Sequence, residues 1–272
     1  MTPGQAVAPP GAGPVPPPSR WWAVTGHLLV RFRRVWVSTT AYALIAPLMY
    51  LAGMGLGLGA LVDSRAGGIG GVPYVAFIAP GLLASTAMMI GVGESSFTVL
   101  GGIKWDRTYH GMLATPLRPA DIVVGHLGYL ALRLTIAVAA FFAVAAALGT
   151  VRSWWGLLAV PVAVLVGLAV GAPMFAFCAG IDRDLGITAV LRFVITPMML
   201  FAGTFFPVSE LPGWIQPVAW VTPLWHATEA ARSFTLGLPD AGALLGHLAY
   251  LGLWLAGGTW AAVRVLSRRM VV

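Results

Sequence analysis

Few side chains in this sequence could do chemistry, and two charged ones stand alone within long apolar stretches. Arg133 lies 12 residues after Asp121, or about 18 Å along a helix, near the middle of a bilayer core about 30 Å thick. An arginine there costs about 2.5–3.5 kcal/mol on insertion scales, so we expect it to face protein or a hydrated pathway. Glu94 is the predicted partner, although its position nearer the cytoplasmic end requires a helix tilt or a snorkelling side chain.

A second polar group shares one helical face near the C-terminus. His226, Glu229 and Arg232 are spaced at i, i+3 and i+6, so one helix would bring them together. These residue types can hold a metal. In a loop outside the membrane, however, we interpret them as a structural hydrogen-bonding cluster that ties the segment to the helices.

Motifs for catalysis or nucleotide binding do not occur. The sequence has neither a G-x-x-x-x-G-K-[ST] phosphate loop nor an H-E-x-x-H zinc motif. Its single cysteine, Cys178, lies at the end of an apolar stretch and is most simply a small core residue. We therefore expect no catalytic residue, no metal site and no cofactor bound by this chain.

The elements that must position these residues are membrane helices. Hydrophobic residues make up 58% of the chain and charged residues 9%, whereas about a quarter of the residues in a soluble domain are charged. Six stretches have the length of a membrane span: Thr39–Val62, Pro73–Gly93, Ile122–Thr150, Ser153–Gly180, Thr188–Phe206 and Ala241–Val263. The predicted fold is an all-α polytopic membrane protein, with residues 20–272 as one domain and residues 1–19, rich in Pro, Gly and Ala, as a flexible cytoplasmic tail.

The net charge of +7 is distributed as a topology signal. Eleven basic residues lie before span one, between spans two and three, after span four and after span six, and the opposite loops hold three. This alternation follows the positive-inside rule and predicts that both termini are cytoplasmic. It argues against nucleic-acid binding. One lysine beside fifteen arginines suggests a bacterium with a GC-rich genome.

The chain after the fifth predicted span is apolar but broken by proline. Four prolines interrupt it, and each removes an amide donor and shortens any helix. Broken backbone at membrane depth must be buried in protein or line a cavity, and tryptophan concentrates at the headgroup level. We expect short helices that re-enter the outer leaflet and gate the outer side; a proline-rich extramembrane loop is the alternative. The predicted gate consists of Phe206, Pro207, Pro212, Trp214, Pro217, Pro223, His226, Glu229 and Arg232.

Two segments belong to the cytoplasmic side. Trp21–Trp36 has an apolar stripe opposite a basic face, which is typical of a helix lying flat on the membrane; an extension of the first span is the alternative. Between the second and third spans, Gly101 and Gly102 are predicted to end one helix. A short helix would then place Trp105, Tyr109 and Met112 on one face. Such a helix could fit a groove of a partner protein, or it could anchor in lipid headgroups.

Three sequence blocks give the chain a recognisable resemblance. They are Pro80-Gly81-Leu82-Leu83-Ala84, the run MLATPLRPADIVVG from Met112 to Gly125, and ITPMMLFAGTFFPVSELPGWIQPV followed by PLWHATEAAR, from Ile195 to Arg232. With the six-span layout, the chain resembles the membrane permeases of type-2 ATP-binding-cassette (ABC) exporters. Among these it is most similar to the nodulation-factor, or lipo-oligosaccharide, branch.

The resemblance implies two permease copies, in a homodimer or a heterodimer, that work with two separate ATPase subunits, which bind ATP and Mg²⁺. It also implies an amphipathic N-terminal helix, a cytoplasmic coupling helix and re-entrant outer helices. The implied cargo is amphipathic: a lipid-linked saccharide, a lipid or a hydrophobic drug. The expected coupling residues are Lys104, Trp105, Asp106, Arg107 and Tyr109. The alternatives are a secondary transporter, which more often shows an internal repeat, and a membrane-embedded enzyme, which needs more polar groups at one depth.

Overall fold

Helices make up nearly all of the computed structural model, which describes residues 20–238 and 240–270. The predicted tail of residues 1–19 lies outside the described residues. Within the described part, the only β-type contact is an isolated bridge between Ile69 and Val72. Five helical segments are long and apolar enough to cross a membrane. The chain therefore has the all-helical composition of a polytopic membrane protein.

Twelve α-helices, two π turns and two 3-10 turns follow one another along the described chain. The α-helices are α1 (Arg20–Gly53), α2 (Ala60–Ala66), α3 (Tyr74–Ser95), α4 (Phe97–Lys104), α5 (Thr108–Leu113), α6 (Pro119–Ala147), α7 (Ala159–Gly180), α8 (Leu185–Val190), α9 (Thr196–Phe201), α10 (Gln216–Trp220), α11 (Pro223–Leu236) and α12 (Ala241–Met270). The π turns are Met54–Gly59 and Leu191–Ile195, and the 3-10 turns are Trp154–Leu158 and Val208–Glu210.

The N-terminal amphipathic segment is continuous with the first span. Helix α1 runs through the π turn into α2 without a gap. This agrees with the alternative interpretation of the sequence, in which the segment is an extension of the first span. Its first turns pack on α6, where the Thr25 hydroxyl donates to the carbonyl of Gly125 at 2.8 Å and Phe32 meets Tyr129 edge-on. The segment is therefore held by protein along one side.

The second span is longer than the sequence analysis predicted. It runs from Tyr74 to Lys104, with a break at Ser96, whose backbone leaves the helical region. The prediction that Gly101 and Gly102 end the helix is wrong. Both are buried inside α4, because the rings of Trp105 and Tyr109 pack over the faces where a side chain would stand. The extension also places Glu94 well inside the span.

The fifth predicted span is shorter than expected. The apolar helix runs from Leu185 to Phe201, about 25 Å at 1.5 Å per residue, instead of Thr188–Phe206. A π turn in its middle is accompanied by the Thr196 hydroxyl, which donates to the carbonyl of Leu191 at 2.9 Å, next to Pro197, which has no amide proton. Gly203, with a φ of 75°, then turns the chain toward the proline-rich segment.

Helix α7 is the centre of the bundle, with α3, α6, α11 and α12 packed around it. Small residues allow the closest approaches. A methyl group added to Gly91 would come within 2.1 Å of the carbonyl oxygen of Gly167, so α3 and α7 touch through their backbones. Gly258 meets Pro173 in the same way. Such contacts drive helix association where lipid provides no hydrophobic force.

Candidate functional site

A cavity of about 480 Å³ opens between α1, α3, α6 and the segment from α9 to Phe205. Most of its wall is apolar and is formed by residues such as Leu82, Met89, Ile90 and Met199. Its charged lining residues are Glu94 and Arg133. The volume is in the range of small-molecule sites, and the cavity is an apolar space with charge at one place on its wall.

Glu94 and Arg133 form an ion pair through Oε1 and Nη1, as predicted from the sequence. Arg133 is at the midpoint of α6. The Arg133 side chain is 14% exposed and the Glu94 side chain 18%. The Tyr129 hydroxyl donates to Oε2 of Glu94 at 3.1 Å, and the guanidinium lies 5.7 Å from the Phe32 ring centre. The break in the span at Ser96 lies two residues after Glu94 and accompanies this meeting of α3 and α6.

A smaller cavity of about 130 Å³ lies on the other side of the pair. It shares Glu94, Arg133 and Thr39 with the larger one and adds Arg31 and Tyr129. The ion pair therefore forms part of the wall of both spaces. Three formal charges, two positive and one negative, line the two cavities among the described residues.

Phe205 lines the large cavity at the end away from Glu94. Its ring lies 5.2 Å from that of Tyr50, and its carbonyl accepts from the Tyr74 hydroxyl at 3.3 Å. Nearby, the hydroxyls of Ser85 and Thr204 share a hydrogen bond of 3.3 Å. These contacts hold the turn after α9 against α1 and α3.

The proline-rich segment forms short helices, and three of its prolines begin one. Pro207 precedes the 3-10 turn, and Pro217 and Pro223 stand in the first turns of α10 and α11, where the missing amide costs little. Pro212 lies in the turn between them. Helix α11, with 14 residues, is longer than the one or two turns that the prolines allow upstream. Trp214 is the most exposed aromatic residue of this segment.

Arg232 joins α11 to two other parts of the chain. Its side chain pairs with Glu229, donates from Nη2 to the carbonyl of Gly203 at 2.6 Å, and donates from Nε to the carbonyl of Phe77 at 3.4 Å. The guanidinium also lies 3.9 Å from the ring centre of Phe77. With Arg232 only 7% exposed, these contacts account for its charge inside the protein and tie α11 to α3 and to the turn after α9.

His226 does not join Glu229 and Arg232 but contacts the last helix. Its Nδ1 lies 2.8 Å from Nδ1 of His247, and its ring stacks on Tyr250 at 4.0 Å. Two such nitrogens attract only when one donates and the other accepts. Burial, followed by the neighbouring His247, lowers the pKa of His226 to about 4, so the imidazole is neutral at pH 7.

The segment expected to couple the permease to an ATPase differs from its prediction. Helix α5 begins at Thr108, and Arg107 before it has a φ of 50°, so Trp105 and Tyr109 do not share a helical face. Trp105 is 61% exposed, whereas Tyr109 is 3% exposed and stacks on Phe175. Burial raises the pKa of the Tyr109 phenol. Trp105 is therefore the surface residue of this segment, and Tyr109 belongs to the core.

Lys104 links this segment to the loop that follows α7. Its Nζ donates to the carbonyl of Asp182 at 2.8 Å, and Arg269 donates to the carbonyls of Ala179 and Ile181, both at 2.8 Å. The ends of α4, α7 and α12 are thereby held together. Asp106 and Arg107 are exposed beside them, and they complete a surface that a partner protein can reach.

Several residues of these sites were not among the sequence predictions. His247 and Tyr250 share a face of the last span, a spacing visible in the sequence, but their partner lies on another helix. Phe205 lines the cavity, whereas its neighbour Phe206 is the residue that the sequence pattern assigns to the predicted gate. Arg31 belongs to the smaller cavity only because α1 continues along α6. Predicting any of these residues requires knowing which helices are neighbours.

A bundle of membrane-length helices with a charged cavity defines a class, the polytopic membrane transport proteins. The particular family follows from comparison with known sequences: the chain belongs to the ABC-2 type transporter family, whose model matches residues 19–236. It is thus a membrane permease subunit of an ABC exporter, a transport subunit of a family that generally works with an ABC ATPase.

Curated relatives agree with this assignment. The chain is 33% identical over 255 residues to Nodulation protein J of Rhizobium leguminosarum bv. trifolii, covering 92% of this chain and 94% of that protein. It is 34% identical over 220 residues to Nodulation protein J of Rhizobium meliloti, covering 80% and 82%. It is 29% identical over 227 residues to the inner membrane transport permease YadH of Escherichia coli, again covering 80% and 82%. All three are bacterial proteins, which fits a bacterial inner-membrane protein.

Proposed function

We propose that this permease exports an amphipathic molecule, of the lipid-linked saccharide class, from the inner leaflet or the cytoplasm. The observation that carries the proposal is the apolar cavity of about 480 Å³ with one charged place on its wall. An acyl chain matches the apolar wall, and a polar headgroup matches Glu94 and Arg133. The similarity to the nodulation proteins supports a saccharide headgroup.

The working exporter, in this proposal, contains two permease copies and two ATPase subunits, which bind ATP and Mg²⁺. Each permease crosses the membrane six times. The 17-residue helix Leu185–Phe201 is the fifth span, at the short end of what a bilayer accepts, and both termini are cytoplasmic. Residues 20–272 form one domain, and residues 1–19 are a flexible cytoplasmic tail.

ATP turnover reaches this subunit through the segment from Lys104 to Tyr109. The exposure of Trp105 supports this, since large exposed aromatic side chains are favoured anchors at protein interfaces. Lys104 carries movement from this surface to the ends of α7 and α12 through its bond to Asp182. Asp106 and Arg107 provide charges at the edge of the contact, and Tyr109 transmits force into the core through Phe175.

The outer segment from Phe206 to Arg232 forms the external gate. Helices α10 and α11 re-enter the outer leaflet, with Trp214 and Trp220 at the headgroup level. Arg232 and Glu229 fix the returning helix to the bundle, and Phe205 contacts Tyr50 at the outer end of the cavity. Opening requires the turn around Pro207 and Pro212 to move away from α1.

The proposal is tested by reconstituting the permease in proteoliposomes together with an ABC ATPase from the same genome. A fluorescent N-acylated oligosaccharide is added outside inside-out vesicles, and its accumulation is followed with ATP and with a non-hydrolysable analogue. We expect accumulation only with ATP. Transport that continues with the analogue, or that follows an ion gradient, would instead favour a secondary transporter.

The cargo class is separated by a matched set of compounds. The same oligosaccharide without its acyl chain and the same acyl chain without its sugar are compared in equal amounts. The proposal predicts transport of the intact amphipath and little of either part. Equal transport of the free oligosaccharide contradicts the amphipathic cargo.

A further inference from the structure

We propose that Arg133 binds an anionic headgroup of the transported amphipath, a phosphate, sulfate or carboxylate, and that Glu94 is the resident counter-ion which this headgroup displaces. The inference rests on the proposed function, because it assigns the headgroup chemistry of the same cargo. It goes further in naming the charge of the ligand and in giving the two members of the ion pair opposite effects on binding.

The charge around the two cavities favours an anion. Arg133 and Glu94 neutralise each other, and Arg31 lines the smaller cavity beside them. The described lining therefore carries one formal positive charge in excess when no ligand is present. Interactions between charges are stronger away from bulk water. An anionic headgroup is thus attracted to this place, and a cationic one is repelled.

The geometry of Arg133 fits a polyatomic anion. A guanidinium has five N–H donors in a planar fork, which matches phosphate and carboxylate in a two-point contact. Among the described residues, the hydrogen bond that Arg133 makes goes from Nη1 to Glu94. Its position on the wall of both cavities leaves the remaining donors next to open space.

Glu94 can give up the arginine at limited cost. Its second oxygen accepts from the Tyr129 hydroxyl at 3.1 Å, so the carboxylate keeps a hydrogen bond when the headgroup takes Arg133. The smaller cavity, which Glu94 also lines, gives the carboxylate room to move. By contrast, Arg133 without any anion would be a charge at mid-membrane depth, which is expensive. The pair thus leaves neither Arg133 nor Glu94 without a partner when no ligand is bound.

The apolar part of the ligand is placed by the larger cavity. Leu82, Met89 and Ile90 of α3 face Met199 across the space that begins at the ion pair. A headgroup on Arg133 would extend its acyl chain along this wall toward Phe205. The arrangement therefore selects for an anion attached to a hydrocarbon chain, and free phosphate gains only part of the binding energy.

The experiment uses the full-length permease in phosphatidylcholine nanodiscs and three probes. They are dihexanoyl phosphatidic acid, the uncharged dihexanoylglycerol and inorganic phosphate, and the readout is the shift of the melting temperature with probe concentration. For the wild type we expect a saturable shift with phosphatidic acid and much smaller shifts with the other two. An equal shift with dihexanoylglycerol means that the charge is not recognised, and an equal shift with phosphate means that the cavity contributes nothing; either result overturns the proposal.

The variants test the opposite roles of the two residues. Arg133→Gln should weaken the binding of phosphatidic acid about tenfold or more, whereas Glu94→Gln should strengthen it several-fold, because the competing carboxylate is removed. Arg192→Gln, which removes an exposed arginine of the short helix, is the matched control and should bind as the wild type does. Wild-type affinity in Arg133→Gln, or an equal loss in Glu94→Gln, overturns the proposal.

A double variant covers the case in which Arg133→Gln does not fold. Glu94→Gln with Arg133→Gln removes both charges together and leaves no buried lone charge. It should fold and should lose the binding of phosphatidic acid; retained binding overturns the proposal.

The proposed function and the proposed anion site can each fail without the other. If the reconstituted complex transports the N-acylated oligosaccharide but anion binding ignores Arg133, this inference fails and the proposed function stands. If phosphatidic acid binding depends on Arg133 and the complex transports nothing, the proposed function fails and the anion site stands.

Discussion

Two Glu–Arg pairs of the same composition lie in different surroundings, one at the cavity and one near the outer side. Glu94 and Arg133 line two open spaces. Arg232, paired with Glu229, is instead enclosed by backbone carbonyls of Gly203 and Phe77 and by an aromatic ring. The partners of a buried charge therefore indicate its role: fixed carbonyls hold Arg232 in one place, and open space leaves Arg133 able to exchange its partner.

The comparison makes Arg232 the residue whose loss should affect stability most. Replacing Arg232 by Met leaves Glu229 without its partner and removes the side-chain donor to the carbonyls of Gly203 and Phe77. Breaking a buried pair costs about 3–5 kcal/mol, and the partial exposure of Glu229 places the effect near the lower end. The measurement is the melting temperature of the purified permease in nanodiscs.

The matched control for this change is Glu229→Gln. It keeps the bonds from Arg232 to Gly203 and Phe77, so its cost should be about 1 kcal/mol. A wild-type melting temperature in Arg232→Met would show that the outer pair is not a structural joint and would remove the contrast with the cavity.

A second contrast separates Trp105 from Tyr109, which the sequence pattern had placed together. Trp105→Ala should reduce the affinity for the ATPase by about 2 kcal/mol or more, as for an interface anchor, with an unchanged melting temperature of the permease alone. Tyr109→Phe keeps the buried ring and should alter neither value much. Normal ATPase binding by Trp105→Ala, measured by co-purification and titration, contradicts the coupling role.

The outer segment can be mapped by cysteine labelling in a Cys178→Ser background. Single cysteines at positions 213–222 should react several-fold more slowly with a membrane-impermeant thiol reagent than those at 63–70. The reason is that re-entrant helices lie among lipid headgroups and acyl chains. Equally fast labelling of both segments would show that positions 213–222 form an exposed loop, and it would contradict the proposed gate.

The smallest predicted effect concerns pH at the contact between His226 and His247. Because the pKa of His226 in the folded protein, about 4, is below its ordinary value of 6.5, protonation favours a state in which α11 has left α12. The stability that the contact of neutral His226 contributes is fully present above pH 6.5 and declines as the pH falls toward 4. The melting temperature should therefore drop between pH 7 and pH 5.

His226→Gln serves as the reference for this effect. It should be less stable than the wild type at pH 7 and should show a weaker pH dependence over the same interval. Glu229, the acidic residue of α11, is unchanged in both proteins. Identical pH profiles would assign the drop to other groups.

Much of the helical layout could be predicted from the sequence because charges and prolines mark where apolar stretches end. The bounds of α6 and α7 are close to their predictions for this reason. The pairing of Glu94 with Arg133 was predictable as well, since a lone charge at mid-depth in the membrane needs a partner. Tertiary packing decided the rest. Gly101 and Gly102 stay helical under two aromatic rings, and the backbone of Arg107 turns Trp105 away from Tyr109, which no periodicity reveals.

We propose that the pair at the cavity acts in transport and that the pair of Glu229 and Arg232 acts in structure. This difference is tested by measuring ATP-driven transport and melting temperature side by side for Arg133→Gln and Arg232→Gln in the reconstituted complex. Arg133→Gln should fold and assemble yet lose most transport of an anionic cargo, while Arg232→Gln should lower the melting temperature and lose transport only as far as folded protein is lost. Full transport in Arg133→Gln, or a stable Arg232→Gln protein without transport, would contradict the account.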